Sequence, residues 1–360
     1  MPNPDGCEHG GEVDAVADLY GIPRDRWLDL STGINPSAYP LPDLAREYWQ
    51  RLPDHALDVW LREAAASHYG APDPACVVPA PGSQAIIQWL PRLVPPTRVA
   101  IVTPTYREHG RSWAAAGHRV EEIGADGEVP EGSGVLVVAN PNNPDGRIID
   151  PRRLLELGRN RLLVVDEAFA DIAPEISLAR EAGRPDLVLL RSFGKFYGLA
   201  GIRLGFALAG EPISSGLRQA LGRWAVSGPA AAVGAVALAD EGWARAVRVR
   251  LTAASSRLDG LLMRTGLRIV GGTTLFRLVE HPRAGALFEL LARQAILCRR
   301  FPDRPEWLRF GIPGDEEAFE RLATALADWR PQPVAPGPAP SLNFQHRPGP
   351  RGAQRSSGQG

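Results

Sequence analysis

Lys195 sits in the stretch Arg191-Ser192-Phe193-Gly194-Lys195-Phe196-Tyr197-Gly198, directly after the apolar run Leu187 to Leu190. A lysine amine taken out of water loses its proton readily and attacks carbonyl carbons to form a Schiff base. Ser192 stands three residues before it and Arg203 eight after it. They add a hydroxyl and a fixed cation, a pair suited to a phosphate. Alone, the stretch also reads as a surface turn with a solvated lysine, so the rest of the chain must decide. Asn140-Pro141-Asn142-Asn143-Pro144-Asp145-Gly146 offers amides that can donate to a phenolate oxygen, or a rigid turn. Asp166 closes the run Leu162 to Val165, where its carboxylate can hold a protonated ring nitrogen or cap the next segment. Gly82-Ser83-Gln84 opens a helical pattern. Helix starts bind anions through free N–H groups, though a serine there also serves as a plain N-cap.

These groups share a setting. Apolar runs at 98–103, 118–123, 135–139, 162–165, 187–190 and 204–208 predict strands. Helical periodicity over 56–69 and 85–93 precedes them, and over 105–116 and 151–158 falls among them. Such alternation predicts an α/β fold with a mostly parallel, doubly wound sheet, which builds its sites at the carboxyl ends of its strands. The notable polar residues cluster at such ends. Residues 1–40 read as an extended arm and 41–215 as a large domain. Residues 211–266 read as long helices broken near 227–229. A smaller α+β domain over 216–330 carries strands at 273–279, 296–299 and 307–312, and helices at 283–294 and 315–329. Residues 331–360 are rich in Pro, Gly, Arg, Ser and Gln and read as a disordered tail.

Composition narrows the function classes. The 40 basic and 41 acidic side chains leave no single-sign field for nucleic acid or an anionic membrane. Cys7, Cys76 and Cys298 form no metal-ligand spacing. The N-terminus has no basic-then-apolar leader and no run reaches membrane-spanning length, so a cytoplasmic enzyme without a metal is expected. No G-x-G-x-x-G opens a helix after the first strand, which argues against a nicotinamide enzyme.

Asn143, Asp166, Ser192, Lys195 and Arg203, in this order and spacing, resemble the fold-type I family of pyridoxal-phosphate enzymes over roughly residues 25–330. The resemblance implies a large cofactor domain with a smaller C-terminal domain. It implies pyridoxal 5'-phosphate as cofactor, Lys195 as the Schiff-base lysine and Asp166 as partner of the pyridine nitrogen. It further implies that Asn143 donates to the ring 3-oxygen and that Tyr106 stacks on the ring. Gly82, Ser83, Gln84, Ser192 and Arg203 would hold the cofactor phosphate.

Within the family, Glu8-His9-Gly10-Gly11, the segment Trp27 to Pro36, and Arg299-Arg300 with Trp307 to Gly311 resemble the threonine-phosphate decarboxylases of cobalamin synthesis. These in turn are similar to the histidinol-phosphate aminotransferases. That likeness implies that His9, Gly10, Asn35, Asn143, Arg299, Arg300 and Arg309 contact a small phosphorylated substrate. Arg309 would take the α-carboxylate and the arginine pair the phosphate, though adjacent strand residues face opposite sides, so only one of the pair can point inward. Phe169 replaces the tyrosine usual in aminotransferases, which favours decarboxylation. The alternative is transamination of a phosphorylated amine such as histidinol phosphate. A homodimer is implied too, although Leu52 stands where many relatives place a tyrosine that reaches the neighbouring subunit.

Overall fold

The computed structural model describes residues 10–329, and the account below concerns these; His9, Cys7 and the segment 331–360 lie outside them. The helices are α1 (Val13–Tyr20), α2 (Glu47–Gln50), α3 (His55–Tyr69), α4 (Ser83–Trp89), α5 (Glu108–Ala115), α6 (Pro151–Leu157), α7 (Phe193–Phe196), α8 (Ile213–Leu221), α9 (Gly228–Ala239), α10 (Glu241–Arg264), α11 (Ala284–Arg293) and α12 (Glu316–Ala327). The strands are β1 (Leu28–Leu30), β2 (Val77–Ala80), β3 (Arg98–Val102), β4 (Arg119–Ile123), β5 (Ser133–Ala139), β6 (Leu162–Asp166), β7 (Leu187–Ser192), β8 (Gly205–Ala209), β9 (Arg268–Thr273), β10 (Phe276–Glu280), β11 (Ile296–Arg300) and β12 (Trp307–Gly311).

A seven-stranded sheet runs in the order β2-β8-β7-β6-β5-β3-β4. Its strands are parallel except β8, which runs against both β2 and β7. Both faces are covered, so the central strands are apolar throughout instead of alternating. Leu136, Val138, Leu163, Val165, Leu187 and Leu189 pack into one core, while Val135, Val137, Val164, Val188 and Leu190 pack into the core on the opposite face. This is the predicted α/β architecture. A second sheet, in the order β1-β11-β12-β10-β9, has its own core built with α1, α11 and α12. Helix α10 serves both regions: Ala244, Val247 and Leu251 belong to the large-sheet core, and Leu258, Leu261 and Leu262 to the second. The changeover between cores therefore lies inside α10, downstream of position 215.

Two sequence expectations change. The arm is not wholly irregular: Val16 and Ala17 bury one side of α1, and Gly21 ends it in the left-handed region with φ 66°. β1 then pairs in parallel with β11, Leu28 beside Ile296, and so makes residues 28–30 part of the second sheet. An eight-residue helix and a three-residue strand carry too few periods to stand out in a polar, turn-rich sequence. The run 273–279 is likewise not one strand. Thr273 and Phe276 pair across a turn in an antiparallel hairpin of β9 and β10, with the Leu275 N–H donating to the Thr273 hydroxyl at 3.1 Å. β9 escapes sequence detection because Gly271 and Gly272 interrupt its apolar pattern. Among the described residues, no helix is long and apolar enough to cross a membrane.

Candidate active site

Strand register brings the polar strand ends together. Ala139 lies beside Asp166, and Asp166 beside Leu190. The asparagine turn after β5, the carboxylate ending β6 and the lysine turn after β7 therefore leave the sheet at one edge. β8 starts at that edge, and its first residue, Gly205, pairs with Ser192 on one side and Ala80 on the other. Gly82, Ser83, Ser192 and Arg203 thus converge. Gly82 has φ +83°, and a Cβ there would lie 2.5 Å from Nη2 of Arg203. A side chain at Gly205 would collide with the Ser83 backbone nitrogen. Glycine at both positions lets a guanidinium and a helix-start N–H close round one small volume, an arrangement that fits a phosphate. The Gln84 side chain is engaged elsewhere, accepting from the Tyr106 hydroxyl at 3.1 Å and donating to Glu108 at 3.4 Å. That leaves its backbone N–H for an anion.

Lys195 lies in the single-turn helix α7, and its Nζ is 5.9 Å from the centre of the Phe169 ring. Burial of the amine, together with the nearby guanidiniums of Arg309 and Arg203, lowers its pKa to about 8, against the opposing pull of Asp166. A neutral amine is the nucleophilic form. Asp166 is buried, its Oδ2 2.8 Å from Nε2 of the buried His109, and its Oδ1 accepts from the Ala168 N–H at 3.0 Å. The sequence reading missed His109; it lies in the first turn of α5, 57 residues from Asp166, with no local signal to connect them. Tyr106 is half-buried at the same place. Burial first, then Glu108 and Asp166, raise the pKa of its phenol, while Arg203 and Arg299 oppose them.

The second sheet supplies the cations. Arg299 in β11 stands directly opposite Arg309 in β12. Like charges in such a pair repel. Burial first, and Arg299 second, push Arg309 below the ordinary arginine range, with Asp29 opposing. Arg309 is nevertheless well fixed: Nη1 donates to Asn143 Oδ1 at 2.5 Å and Nη2 to the Ser31 carbonyl at 2.8 Å. Its buried Nε has no protein partner. Arg300 turns to the other face, its guanidinium 4.9 Å from the centre of the Phe288 ring on α11. Of the adjacent arginines, Arg299 is the one that shares the face of Arg309.

The arm closes this side. Gly10 is pressed on Ser31, where a Cβ would lie 2.5 Å from the Ser31 carbonyl oxygen, and the Gly11 N–H donates to the Ser31 hydroxyl at 2.8 Å. Asp29 Oδ1 accepts from the Ser31 N–H at 2.8 Å and from its hydroxyl at 2.6 Å. Asn35, expected at the substrate, spends its amide on the backbone: Nδ2 donates to the Phe196 carbonyl at 2.8 Å and Oδ1 accepts from the Ser37 N–H at 3.0 Å. It fastens the arm to the lysine turn. One sequence signal was stronger than the motif alone. Of the 40 lysine and arginine residues, only Lys195 is a lysine.

The model of the family "Aminotransferase class I and II" matches residues 38–326. The chain is similar to a threonine-phosphate decarboxylase from Pseudomonas aeruginosa, 46% identical over 90% of this chain and 98% of the relative. It is also similar to a threonine-phosphate decarboxylase from a Sinorhizobium species, 44% identical over 89% and 97%. Among solved structures, a histidinol-phosphate aminotransferase from Sinorhizobium meliloti in complex with pyridoxal-5'-phosphate shares the fold, with a TM-score of 0.77, 22% identity, and coverage of 90% of this chain and 96% of that one.

Proposed function

The chain belongs to the aminotransferase class I and II family, and on that premise we propose that it is a pyridoxal-phosphate-dependent decarboxylase of L-threonine O-3-phosphate. The product is (R)-1-amino-2-propanol phosphate, which serves cobalamin synthesis. The observation that carries this reading is the pair of facing cations Arg299 and Arg309, set beside the Lys195 amine. A buried guanidinium, Arg309, facing a half-buried one, Arg299, is relieved by a ligand with two anionic ends, and an amino acid phosphorylated on its side chain has a carboxylate and a phosphate. Histidinol phosphate has no carboxylate to give to Arg309. The identity of 46% to a threonine-phosphate decarboxylase over nearly the whole relative supports the same choice.

The residues present fit the cofactor. The cradle at Gly82, into which a Cβ would intrude against Arg203, suits its phosphate, with Ser83, Ser192 and the Gln84 N–H as further donors. Bound there, the cofactor supplies an electron-accepting ring that takes up the pair left by a bond broken at Cα. Asp166, steadied by His109, would hold a proton on the ring nitrogen. Asn143 gives its Oδ1 to Arg309, so the Nδ2 end of the amide carries the donors for the ring 3-oxygen. Tyr106 would stack on the ring. Lys195, whose proton is held less tightly than that of an ordinary lysine, would be the residue that holds the cofactor covalently. Arg309, fixed by Asn143 and the Ser31 carbonyl, would orient the substrate carboxylate so that the Cα–carboxylate bond is the one set for cleavage. Arg299 would grip the phosphate, with Gly10 of the arm packed on the Ser31 carbonyl that also holds Arg309. Such orientation selects which bond breaks.

The same reading places the enzyme in the cytoplasm as a homodimer. Leu41, Trp49 and Leu52 are each about two-thirds exposed, at 65%, 68% and 66%. A surface recess lined by Leu41, Leu44, Trp49, Ile202, Pro229 and Val233 adjoins Arg203 in sequence through Ile202. Apolar exposure of this kind supports burial against a second copy. The function is tested by comparing two assays: carbon dioxide release from threonine phosphate, and amino transfer from histidinol phosphate to 2-oxoglutarate. Turnover in the first alone supports the proposal; turnover in the second alone contradicts it.

A further inference from the structure

Beneath the lysine turn lies a cluster of charged groups that the chemistry above does not use. Arg191, Glu167 and Asp171 are 2%, 0% and 1% exposed. Arg191 Nη1 donates to Glu167 Oε2 at 2.8 Å, and Nη2 donates to Asp171 Oδ1 at 2.7 Å. The same Asp171 oxygen is 3.3 Å from Nε2 of His68, and that nitrogen is 3.3 Å from the Tyr197 hydroxyl. His68 Nδ1 faces Glu241 at 3.2 Å, and Arg248 Nε donates to the Asp171 carbonyl at 2.7 Å. The Tyr197 ring is stacked between Phe193 and Trp243, with centroids 4.3 Å and 5.2 Å away.

The topology of these contacts matters. Arg191 precedes the lysine turn and Tyr197 follows it, and both lead to one carboxylate. Glu167 and Asp171 belong to the segment that begins at Asp166. We propose that Asp171 is the hub of a buried clamp which holds both flanks of the Lys195 turn and thereby fixes Lys195 against Asp166. These are positioning residues acting through Lys195, and the proposal rests on reading Lys195 as the cofactor-binding amine.

Energetics support a positional role. Burying ion pairs sacrifices hydration, and apolar replacements of similar volume are often as stable. This cluster is not even fully satisfied: Asp171 Oδ2, Arg191 Nε and the Tyr69 hydroxyl are buried without a partner. Burial works against ionisation of Asp171, yet the Arg191 guanidinium and His68 hold its carboxyl below the usual carboxylate range. The cluster stays charged, and its bonds are directional in a way apolar packing is not.

Because the chain has a single lysine, the ionisation of Lys195 is directly measurable. Full-length protein stripped of cofactor is treated with acetic anhydride across a pH series. Acetylation of Lys195 is separated from that of the N-terminal amine by peptide mass spectrometry. The groups facing Lys195 are Arg309, Arg203 and Asp166, and none of them is altered. Loosening the turn admits water to the amine, so the midpoint is expected to rise by about half a unit or more in Tyr197→Phe and further in Asp171→Asn, toward the ordinary lysine value. Leu287→Ala weakens the second core without touching the clamp and should leave the midpoint in place. An unchanged midpoint in folded Tyr197→Phe, or an equal rise in Leu287→Ala, overturns the clamp. Should Asp171→Asn fail to fold, Tyr197→Phe decides alone. The loaded parent protein is the separate control: if its Lys195 is acetylated as fast as in the stripped protein, the cofactor reading fails, whatever the midpoints show.

Discussion

Lys195 and Arg309 are cations placed where water is scarce, and each has a consequence that can be measured. Lys195 binds its proton less tightly in the folded chain than in the unfolded one, with a folded pKa of about 8. From there up to the ordinary lysine value the unfolded chain holds more protons, so this residue makes folding stability rise with pH across that window. Denaturant unfolding of cofactor-free protein at the two ends of the window should show the rise, and Lys195→Met should remove that share of it. The same variant should lose the absorbance of covalently held cofactor. The arginines separate by face. Arg299→Ala should raise KM for the phosphorylated substrate by an amount equivalent to about 2–3 kcal/mol, the worth of a charge-assisted hydrogen bond. Arg300→Ala, on the Phe288 side, should change KM little. Equal effects from the two variants would refute the assignment of faces.

At the scale of elements, the site depends on how the asparagine turn meets the second sheet. The Gly272 N–H donates to the Asp145 carbonyl at 2.8 Å. A Cβ on Gly271 would run into the Asp145 carbonyl, and one on Gly146 into the Gly272 carbonyl. Gly271→Ala should therefore destabilise the fold by about 1–3 kcal/mol, the usual cost of overpacking. It should also weaken substrate binding, because Asn143 and Arg309 would part; thermal melts and KM together check this. Much of the large sheet was legible because fully buried parallel strands leave unbroken apolar runs such as Val135 to Ala139. Lys195, Asp166, Asn143 and Arg203 were legible because each sits next to such a run. The second sheet was harder to read. β9 is interrupted by glycines that serve contact with the asparagine turn, and β1 is three residues long. The orientation of Arg299 against Arg300 required cross-strand register. His109, Arg191 and Asp171 gave no signal at all, since their partners lie far away in sequence and a buried charge reads like a surface one until its neighbours are known.

At the scale of the whole molecule, α10 contributes to the cores of both sheets, and the asparagine turn of the large sheet meets the Arg299–Arg309 strand pair of the second. The exposed apolar patch predicts a dimer, and Trp49→Glu should shift the molecule toward monomer in sedimentation velocity; a dimer of undiminished affinity would place the interface elsewhere. The family fold accommodates both decarboxylation and amino transfer, and only the bond held perpendicular to the ring distinguishes them. The most direct test is a single turnover of the cofactor-loaded enzyme with threonine phosphate labelled in its carboxylate carbon. The account predicts one labelled carbon dioxide per active site, with the cofactor recovered as the aldehyde. Retention of the label in the product, with conversion of the cofactor to its amine form and its recovery by 2-oxoglutarate, would contradict it.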